Sequence, residues 1–200
     1  MKGKSSVYLA VLIVLVGAII VLSIMAFGYF SYKNTPVYFN TSKTEQAKRL
    51  YSKAMDIDLD RNYPKTPDEV MEYYLIMSRL IYGDMIAESS LYGEIITQMR
   101  KLYGTEMLEE NSYESQLSNV EEAVVILKEQ KINQSDYEQL PTIFNSVNTD
   151  LCYIRAKQSY NNGEVFYWEF QLERVPPENN WKIIRFERTD ENYEPIPGGW

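Results

Sequence analysis

The sequence predicts an α+β protein in which an N-terminal transmembrane helix precedes a layer of helices and an antiparallel sheet. The stretch from Val7 to Phe30 contains no charged residue. Beyond it, apolar residues recur at three- and four-residue steps as far as about residue 130, and they alternate with polar residues from residue 152 onward. Helical periodicity followed by strand periodicity is typical of an α+β domain.

The charge-free stretch is long and apolar enough to cross a bilayer. As a helix, its 24 residues would span about 36 Å, compared with about 30 Å for a hydrocarbon core. Fifteen of these residues are Leu, Ile, Val or Phe, and together they favour insertion by about 4.5 to 9 kcal/mol. We therefore expect residues 7–30 to be a signal anchor whose partner is the lipid bilayer.

The charges around the anchor predict its orientation. Lys2 and Lys4 lie in the leader, residues 1–6, and the positive-inside tendency keeps such a leader in the cytoplasm. We therefore expect a single-pass protein of the cell membrane with an extracytoplasmic C-terminal domain. A cleaved signal peptide is the alternative, because Ala26 and Gly28 imitate a cleavage site, although the apolar region of such a peptide is normally about 7–15 residues long.

Composition excludes several classes of function. Residues 34–200 hold all 28 acidic residues and 17 of the 20 Lys and Arg, which gives a net charge of −11. Nucleic acid is therefore not an expected partner. Histidine is absent, which excludes His bases, His-activated nucleophiles and imidazole metal ligands. Cys152 is the single cysteine, so an intrachain disulfide is excluded.

Capping signals predict where the helices begin and end. Ser42 with Glu45, and Thr66 with Glu69, each match the capping box, and glycines follow two of the apolar stripes as stop signals. The predicted helices run from about Lys43 to Asp56, from Pro67 to Gly83, from Ser89 or Ser90 to Gly104, and from Ser112 to about Gln130.

The C-terminal third predicts antiparallel strands. Two alternating segments, residues 152–157 and 166–173, flank the turn signal Asn161-Asn162-Gly163. A three-residue loop with Gly163 in the left-handed conformation pairs Ala156 with Trp168 and keeps the apolar side chains on one face. The same register sets Arg155 opposite Glu169 on the solvated face.

One more strand is predicted over Trp181 to Arg188, after the break at Pro176-Pro177. Residues 131–149 are ambiguous, and a strand over Ile132 to Tyr137 is one alternative. The predicted organisation is a leader (1–6), the anchor (7–30), a tether with a polar helix (31–62), an α+β domain (63–189) and a tail (190–200).

The order of elements over residues 64–189 resembles the NTF2-like (cystatin-like) cone, in which a curved antiparallel sheet wraps a helical layer. The segment Tyr63-Pro64-Lys65-Thr66-Pro67, together with Trp181-Lys182-Ile183, also resembles an uncharacterised family of membrane-anchored Gram-positive bacterial proteins. That resemblance implies an anchor plus an exported NTF2-like domain. It brings no known catalytic residues.

Candidate catalytic and metal-binding chemistry is sparse. Asp56-Ile57-Asp58-Leu59-Asp60 is similar to half of a calcium loop, but Arg61 and Pro67 stand where that loop needs Gly and Glu. The alternation of the strands predicts that their carboxylates face solvent and that Cys152 faces the core. Cys152 is then a buried thiol in apolar surroundings, and the sequence shows no neighbour that would activate it. We therefore expect no catalytic residue, no metal and no cofactor.

The abundant aromatic residues are the remaining candidates for a site. Aromatic side chains at the mouth of a cone could bind sugar rings or an apolar ligand. The candidates for such a pocket are Tyr73, Tyr74, Tyr92, Tyr103, Tyr167, Trp168 and Trp181.

These observations favour a non-catalytic binding or interaction module of the cell envelope, with a wall component, a small ligand or another envelope protein as partner. A first alternative is an assembly scaffold similar to the VirB8-type components of secretion and conjugation complexes. A second is an envelope enzyme that uses carboxylates and tyrosines, by analogy with NTF2-like isomerases and dehydratases.

Overall fold

The structure, a computed structural model, describes residues 43–196 and has an α+β fold. Its helices are α1 (Thr44–Met55), α2 (Pro67–Tyr82), α3 (Ser90–Arg100), α4 (Thr105–Glu110) and α5 (Tyr113–Glu129). Its strands are β1 (Gln134–Gln139), β2 (Ile143–Phe144), β3 (Leu151–Tyr160), β4 (Val165–Val175) and β5 (Asn180–Thr189).

Several predictions fall on residues other than 43–196. The anchor over Val7–Phe30, the cleavage alternative and Ser42 of the first capping box lie outside the described residues. Within residues 43–196, none of the helices has the length and the apolar character that crossing a bilayer requires.

Helix α2 packs against the sheet, and both of its predicted ends are confirmed. The Thr66 hydroxyl accepts a hydrogen bond from the Glu69 amide (3.2 Å), and the Glu69 carboxylate accepts one from the Thr66 amide (3.1 Å). Pro67 occupies the first turn and Gly83 is the C-cap. Since these caps satisfy otherwise unpaired backbone groups, they define which residues α2 presents to the sheet.

The helix predicted to end at Gly104 is shorter than expected. Helix α3 ends at Arg100, and Gly104 is instead the N-cap of α4, a helix that the sequence analysis missed. The backbone between them pairs with β5, because the Gly104 amide donates to the Ile183 carbonyl (2.8 Å). A Cβ at Gly104 would lie 2.8 Å from Ile184 Cγ2, so this glycine permits a close approach and does not simply stop a helix.

The other two helices match their predictions closely. Helix α5 begins after Ser112, whose hydroxyl accepts from the Ser115 amide (3.1 Å), and it ends one residue before Gln130. Helix α1 covers the predicted polar segment. Lys43 occupies its N-cap position without a side-chain cap.

The register of the β3–β4 hairpin is confirmed. Ala156 pairs with Trp168, and Arg155 pairs with Glu169, with 2.9 Å between Arg155 Nε and Glu169 Oε2. Ile154 pairs with Phe170, and Cys152 with Leu172. Gly163 has a φ of 89°, the left-handed conformation that a three-residue loop requires here.

Replacing Gly163 with alanine is expected to lower the free energy of unfolding by about 1–2 kcal/mol, the cost of the left-handed region for an L-residue. A Cβ at Gly163 would meet no atom within 4 Å, so the backbone conformation alone sets the effect. Gly163→Asn is the matched control, because asparagine adopts this conformation more readily. Equal losses for both variants in urea unfolding would contradict this explanation.

The sheet has the order β1-β3-β4-β5, and the two-residue β2 also pairs with β3. Residues 131–149, which were ambiguous in the sequence, thus contain two strands. Strand β1 starts two residues after Ile132, the suggested first residue of a strand, and β2 was not predicted. Thr142 Oγ1 donates to Asp68 Oδ1 (2.8 Å), so contact with the N-terminus of α2 positions this connection. The predicted tail also differs, since Thr189 bridges to Pro195 and the chain folds back on β5.

The core lies between α2 and the inner face of the sheet. Alternate residues of β3, from Cys152 to Gln158, are buried against the helices. Helix α2 also packs on α1, α3 and β1. The largest fully buried side chain is Phe170 on β4.

Candidate functional site

A cavity of about 540 Å³ separates α5 and the cavity-facing side of α2 from the inner face of β3, β4 and β5. Helix α5 packs mainly on α3 and α2. Only Val120 and Val124 of its residues are buried. Since α5 rests on other helices, the space between it and the sheet stays open.

Aromatic side chains form much of the cavity lining. Three of them come from helices or the segment that joins them: Tyr74, Tyr82 and Tyr103. Five come from the sheet: Tyr160, Phe166, Trp168, Phe170 and Phe186. Aliphatic and methionine side chains, including Met99, Met107 and Leu127, line the helical wall. None of the described residues that line the cavity is charged.

The rings pack edge to face or tilted against one another. The Tyr74 ring centroid lies 5.0 Å from that of Phe170 and 6.3 Å from that of Phe186. Phe186 in turn lies 5.9 Å from Trp168. Such contacts hold each ring in place and present aromatic faces and edges to the cavity.

A buried chain of hydrogen bonds supports the cavity from the side of β3. Trp168 Nε1 donates to Gln158 Oε1 (3.1 Å), and Gln158 Nε2 donates to Ser78 Oγ (3.1 Å). Ser78 Oγ then donates to Gln134 Oε1 (3.4 Å). Ser78, Gln134 and Gln158 are all buried. Because each member positions the next, this chain fixes the indole ring in the cavity wall.

A second chain of hydrogen bonds lies where the lining meets α5. Gln116 Nε2 donates to the Tyr103 hydroxyl oxygen (3.3 Å), and Arg100 donates to Gln116 Oε1 (3.0 Å). Burial raises the pKa of Tyr103, and it raises the pKa of Tyr74 well above the ordinary range of a phenol, with Tyr103 adding to that effect. Both phenols are therefore neutral at any physiological pH.

The remaining two phenols of the lining have no hydrogen-bond partner. Neither the Tyr82 nor the Tyr160 hydroxyl is hydrogen-bonded to any group within residues 43–196. Burial raises the pKa of Tyr82 and raises that of Tyr160 to about 12. Each therefore keeps its proton and presents a hydrogen-bond donor to the cavity.

The structure brings together only some of the aromatic residues singled out from the sequence. Tyr74, Tyr103 and Trp168 line the cavity, whereas Tyr73, Tyr92, Tyr167 and Trp181 do not. Tyr92 is buried under Lys128, whose Nζ donates to its hydroxyl (3.4 Å).

The sheet residues left out of the cavity lie on another face or at another end. The Tyr167 ring packs against Tyr193, 5.6 Å away, on the face that alternation assigns to solvent. Trp181 packs instead against Phe144, with ring centroids 5.9 Å apart, and beneath the guanidinium of Arg174.

Five aromatic residues of the lining were not among the candidates: Tyr82, Tyr160, Phe166, Phe170 and Phe186. Phe166 and Phe170 share the alternation of Trp168, so the pattern predicted that they face inward but not that they line a cavity. The pattern could not predict that Phe186 faces inward. The pairing of β4 with β5 shifts between Gln171 and Leu172, so that Ile184 is the extra residue and Phe186 comes opposite Phe170. Such a bulge reverses the alternation of the strand and turns Phe186 inward.

Cys152 lies on the inner face of β3, as predicted, and is fully buried. Burial raises the pKa of its thiol to about 12, and the nearby Asp68 carboxylate adds to this effect. It is not among the residues that line the cavity.

The native protein is expected to resist thiol reagents at pH 8, because the thiolate is the reactive form. The measurement is the rate of reaction with Ellman's reagent, with and without 6 M guanidinium. A Ser146→Cys variant supplies an exposed thiol in the same chain and should react in its native state. Equal native rates for Cys152 and for the added cysteine would contradict the buried placement.

The acidic segment at residues 56–60 is a turn after α1. Asp58 Oδ1 accepts from the Asp60 amide (3.1 Å), and Lys101 Nζ lies 2.7 Å from Asp60 Oδ2. Within residues 43–196, no group of three or more Asp, Glu, Cys or His side chains is arranged to hold a metal ion.

Comparison with known proteins places the chain in a family. Residues 1–186 match the family described as Domain of unknown function (DUF6715). No curated protein and no solved structure matches the chain significantly.

Proposed function

We propose that this chain, which belongs to the family of the domain of unknown function DUF6715, is a membrane-anchored, extracytoplasmic binding module. Its cavity binds one uncharged, largely apolar small molecule and leaves it chemically unchanged. The observation that carries this proposal is the cavity of about 540 Å³, whose described lining residues are all uncharged and in large part aromatic.

The size and lining of the cavity support a small ligand. Small-molecule pockets usually enclose about 300–1,000 Å³ and combine apolar walls with a few polar groups. The rings of Trp168, Phe170 and Phe186 offer apolar surface, and their mutual contacts hold them in place. A site that is already ordered loses little conformational entropy when a ligand binds.

The charge around the cavity supports an uncharged ligand. Helices α4 and α5 carry seven glutamates and a single lysine, and all seven glutamates are exposed. Their potential disfavours the approach of anions. Burying any charged group among uncharged walls would also cost desolvation free energy that no counter-charge in the described lining offsets.

The same lining supports binding over catalysis. The enzyme alternative needs a carboxylate as general acid or base beside a tyrosine. The tyrosines that face the cavity have amides, hydroxyls and other rings as neighbours. The chain has no histidine to replace such a carboxylate.

The proposal includes a membrane anchor and an NTF2-like fold for the C-terminal domain. The charge-free stretch from Val7 to Phe30 supports a single-pass anchor, with Lys2 and Lys4 on the cytoplasmic side. Helices packed against the inner face of an antiparallel sheet, with a cavity between them, support the cone architecture. Protease treatment of intact cells should digest the C-terminal domain and spare the leader.

Two fluorescent probes with one skeleton test the binding site. N-phenyl-1-naphthylamine is uncharged, and 8-anilinonaphthalene-1-sulfonate adds an anionic group. With the full chain in lipid nanodiscs, we expect saturable, tryptophan-sensitised emission from the uncharged probe. The anionic probe should bind at least about tenfold more weakly.

Two variants of α5 provide the matched control. Ala123→Phe places a ring into the cavity and should reduce binding, whereas Val125→Phe places one on the exposed face of the same helix and should not. Equal binding of both probes, or no saturable binding of either, would overturn the proposal.

One observation favours the assembly-scaffold alternative. Ile143 and Phe144 on β2 are about half exposed (48% and 52%), and Val147 in the following loop is 95% exposed. Exposed apolar groups this close together are frequent at protein interfaces. If the protein is such a scaffold, light scattering should detect self-association that Phe144→Glu and Val147→Glu abolish. A monomer at all concentrations would argue against it.

A further inference from the structure

Two cavity phenols differ from Tyr74 and Tyr103 because each lacks a hydrogen-bond partner among the described residues. Tyr82 is the last residue of α2 and Tyr160 is the last residue of β3, and both side chains line the cavity. By contrast, Trp168 Nε1 and Gln158 Nε2 of the lining both donate within the protein. The hydroxyls of Tyr82 and Tyr160 are thus donors that remain available to a ligand.

Once a ligand excludes water from the cavity, a hydroxyl that faces it must donate its hydrogen bond to the ligand, whereas its capacity to accept can stay unused at little cost. Neither phenol ionises at neutral pH, because burial raises both pKa values. The backbone brings the two residues close together: Gln134 pairs with Tyr160 in the sheet, and the Gln134 carbonyl oxygen would lie 3.3 Å from a Cβ at Gly83, the residue after Tyr82. What they require between them is therefore a hydrogen-bond acceptor.

We propose that Tyr82 and Tyr160 form a polar subsite that binds the carbonyl oxygen of an uncharged aromatic ligand. This inference rests on the proposed function, and it names the chemical class of the ligand. A carbonyl oxygen has two lone pairs and accepts one hydrogen bond from each phenol. The body of the ligand lies among the cavity rings, which favour an aromatic skeleton over a flexible chain.

The position of the subsite supports this assignment. The Tyr160 ring centroid lies 5.0 Å from that of Phe166, and the Arg188 guanidinium carbon lies 4.1 Å from the Phe166 ring centroid, which positions that ring. A ligand carbonyl held by the phenols would have aromatic surface beside it on Phe166. The described lining residues offer a carboxylate no counter-charge, and Arg188, the cation nearest to this subsite, is already engaged with the Phe166 ring, so a neutral carbonyl is preferred over an acid.

Benzophenone and diphenylmethane test the inference, because they share one skeleton and differ only in the carbonyl group. Each is titrated as a competitor of N-phenyl-1-naphthylamine on the full chain in nanodiscs. The measured quantity is the ratio of the two competitor dissociation constants, from which lipid partitioning largely cancels when variants are compared. Ethyl decanoate, titrated in parallel, represents a lipid ester as the source of the carbonyl.

The variants Tyr82→Phe and Tyr160→Phe each remove one hydroxyl and keep the ring. We expect each to weaken benzophenone binding about fivefold, and the double variant at least about tenfold, with diphenylmethane unchanged. Tyr153→Phe, on the outer face of β3, is the matched control. It should change neither the benzophenone nor the diphenylmethane dissociation constant. Unchanged diphenylmethane binding also shows that the variants are folded.

The possible failures separate the two proposals. One outcome is that the wild type binds all of these compounds while the double variant keeps the same ratio of benzophenone to diphenylmethane dissociation constants. That result would overturn the subsite and leave the proposed binding module intact. Equal weakening of both competitors would assign the phenols a structural role and would also overturn the subsite. Tighter binding of ethyl decanoate than of benzophenone would overturn the aromatic class of ligand. No saturable binding by the wild type would overturn the proposed function, and this inference with it.

Discussion

Phe170→Ala is expected to lower the free energy of unfolding by about 3–5 kcal/mol, the usual range for a buried Phe→Ala change. Phe170 is 1% exposed, and its ring centroid lies 5.0 Å from that of Tyr74 and 5.6 Å from that of Phe186. Its removal eliminates these contacts and enlarges the space that the cavity already occupies. The surrounding rings rest on the sheet and on α2, so they can collapse only in part.

The measurement for Phe170→Ala is urea unfolding followed by tryptophan fluorescence. Phe144→Ala is the matched control, because it makes the same chemical change at a ring that is 52% exposed. Its expected loss is about 1 kcal/mol, since roughly half of the ring is already in water. If the two variants lose the same stability, Phe170 does not hold the sheet and α2 together.

Gln158→Glu is expected to destabilise the protein in a pH-dependent manner. The Gln158 side chain is 6% exposed and links Trp168 to Ser78 by hydrogen bonds. A glutamate there has nearly the same shape, but its charged form would be buried without a cation. Burial raises the pKa of such a carboxyl by up to about 3–5 units.

The sign of this pH dependence follows from proton linkage. Between the unfolded pKa of about 4.3 and the raised folded pKa, the native variant holds a proton that the unfolded chain has lost. The variant therefore loses stability as pH rises, by about 1.4 kcal/mol per unit, and the loss levels off above the folded pKa. We expect the free energy of unfolding of the variant to be slightly below that of the wild type at pH 4.5 and about 3 kcal/mol below it at pH 8.

Urea unfolding at the two pH values measures the effect of Gln158→Glu. Gln130→Glu, on the exposed end of α5, provides the control and should show little difference between the two pH values. A deficit of Gln158→Glu that does not grow between pH 4.5 and pH 8 would mean that water or a cation reaches this position.

The elements that the sequence predicted well are those whose determinants are local. The capping box of Thr66 and Glu69 involves residues three apart, so α2 could be placed to within a residue. The hairpin register follows from the alternation of apolar residues and from one glycine, because a shift by one position would turn every inward side chain outward. A wrong register would have buried Lys157, and the pairing of Ala156 with Trp168 avoids that.

The elements that it predicted poorly depend on contacts between distant residues. Gly104 has the pattern of a helix stop, but its role is to let the backbone pair with Ile183, about 80 residues later. The short strand β2 has no periodicity of its own and exists because β3 offers it an edge. Four of the seven predicted pocket aromatics have the right side-chain chemistry but do not line the cavity: Tyr73, Tyr92, Tyr167 and Trp181.

The sequence by itself determined that helices precede an antiparallel sheet, which residues of β3 and β4 face inward, and that histidine chemistry and an intrachain disulfide are excluded. Only the tertiary structure decided that a cavity exists and that Tyr82, Tyr160 and Phe186 line it with Tyr74. The reason is physical. Periodicity reports which side of an element is apolar, whereas a cavity depends on how far α5 stands from the sheet and on where a bulge turns β5.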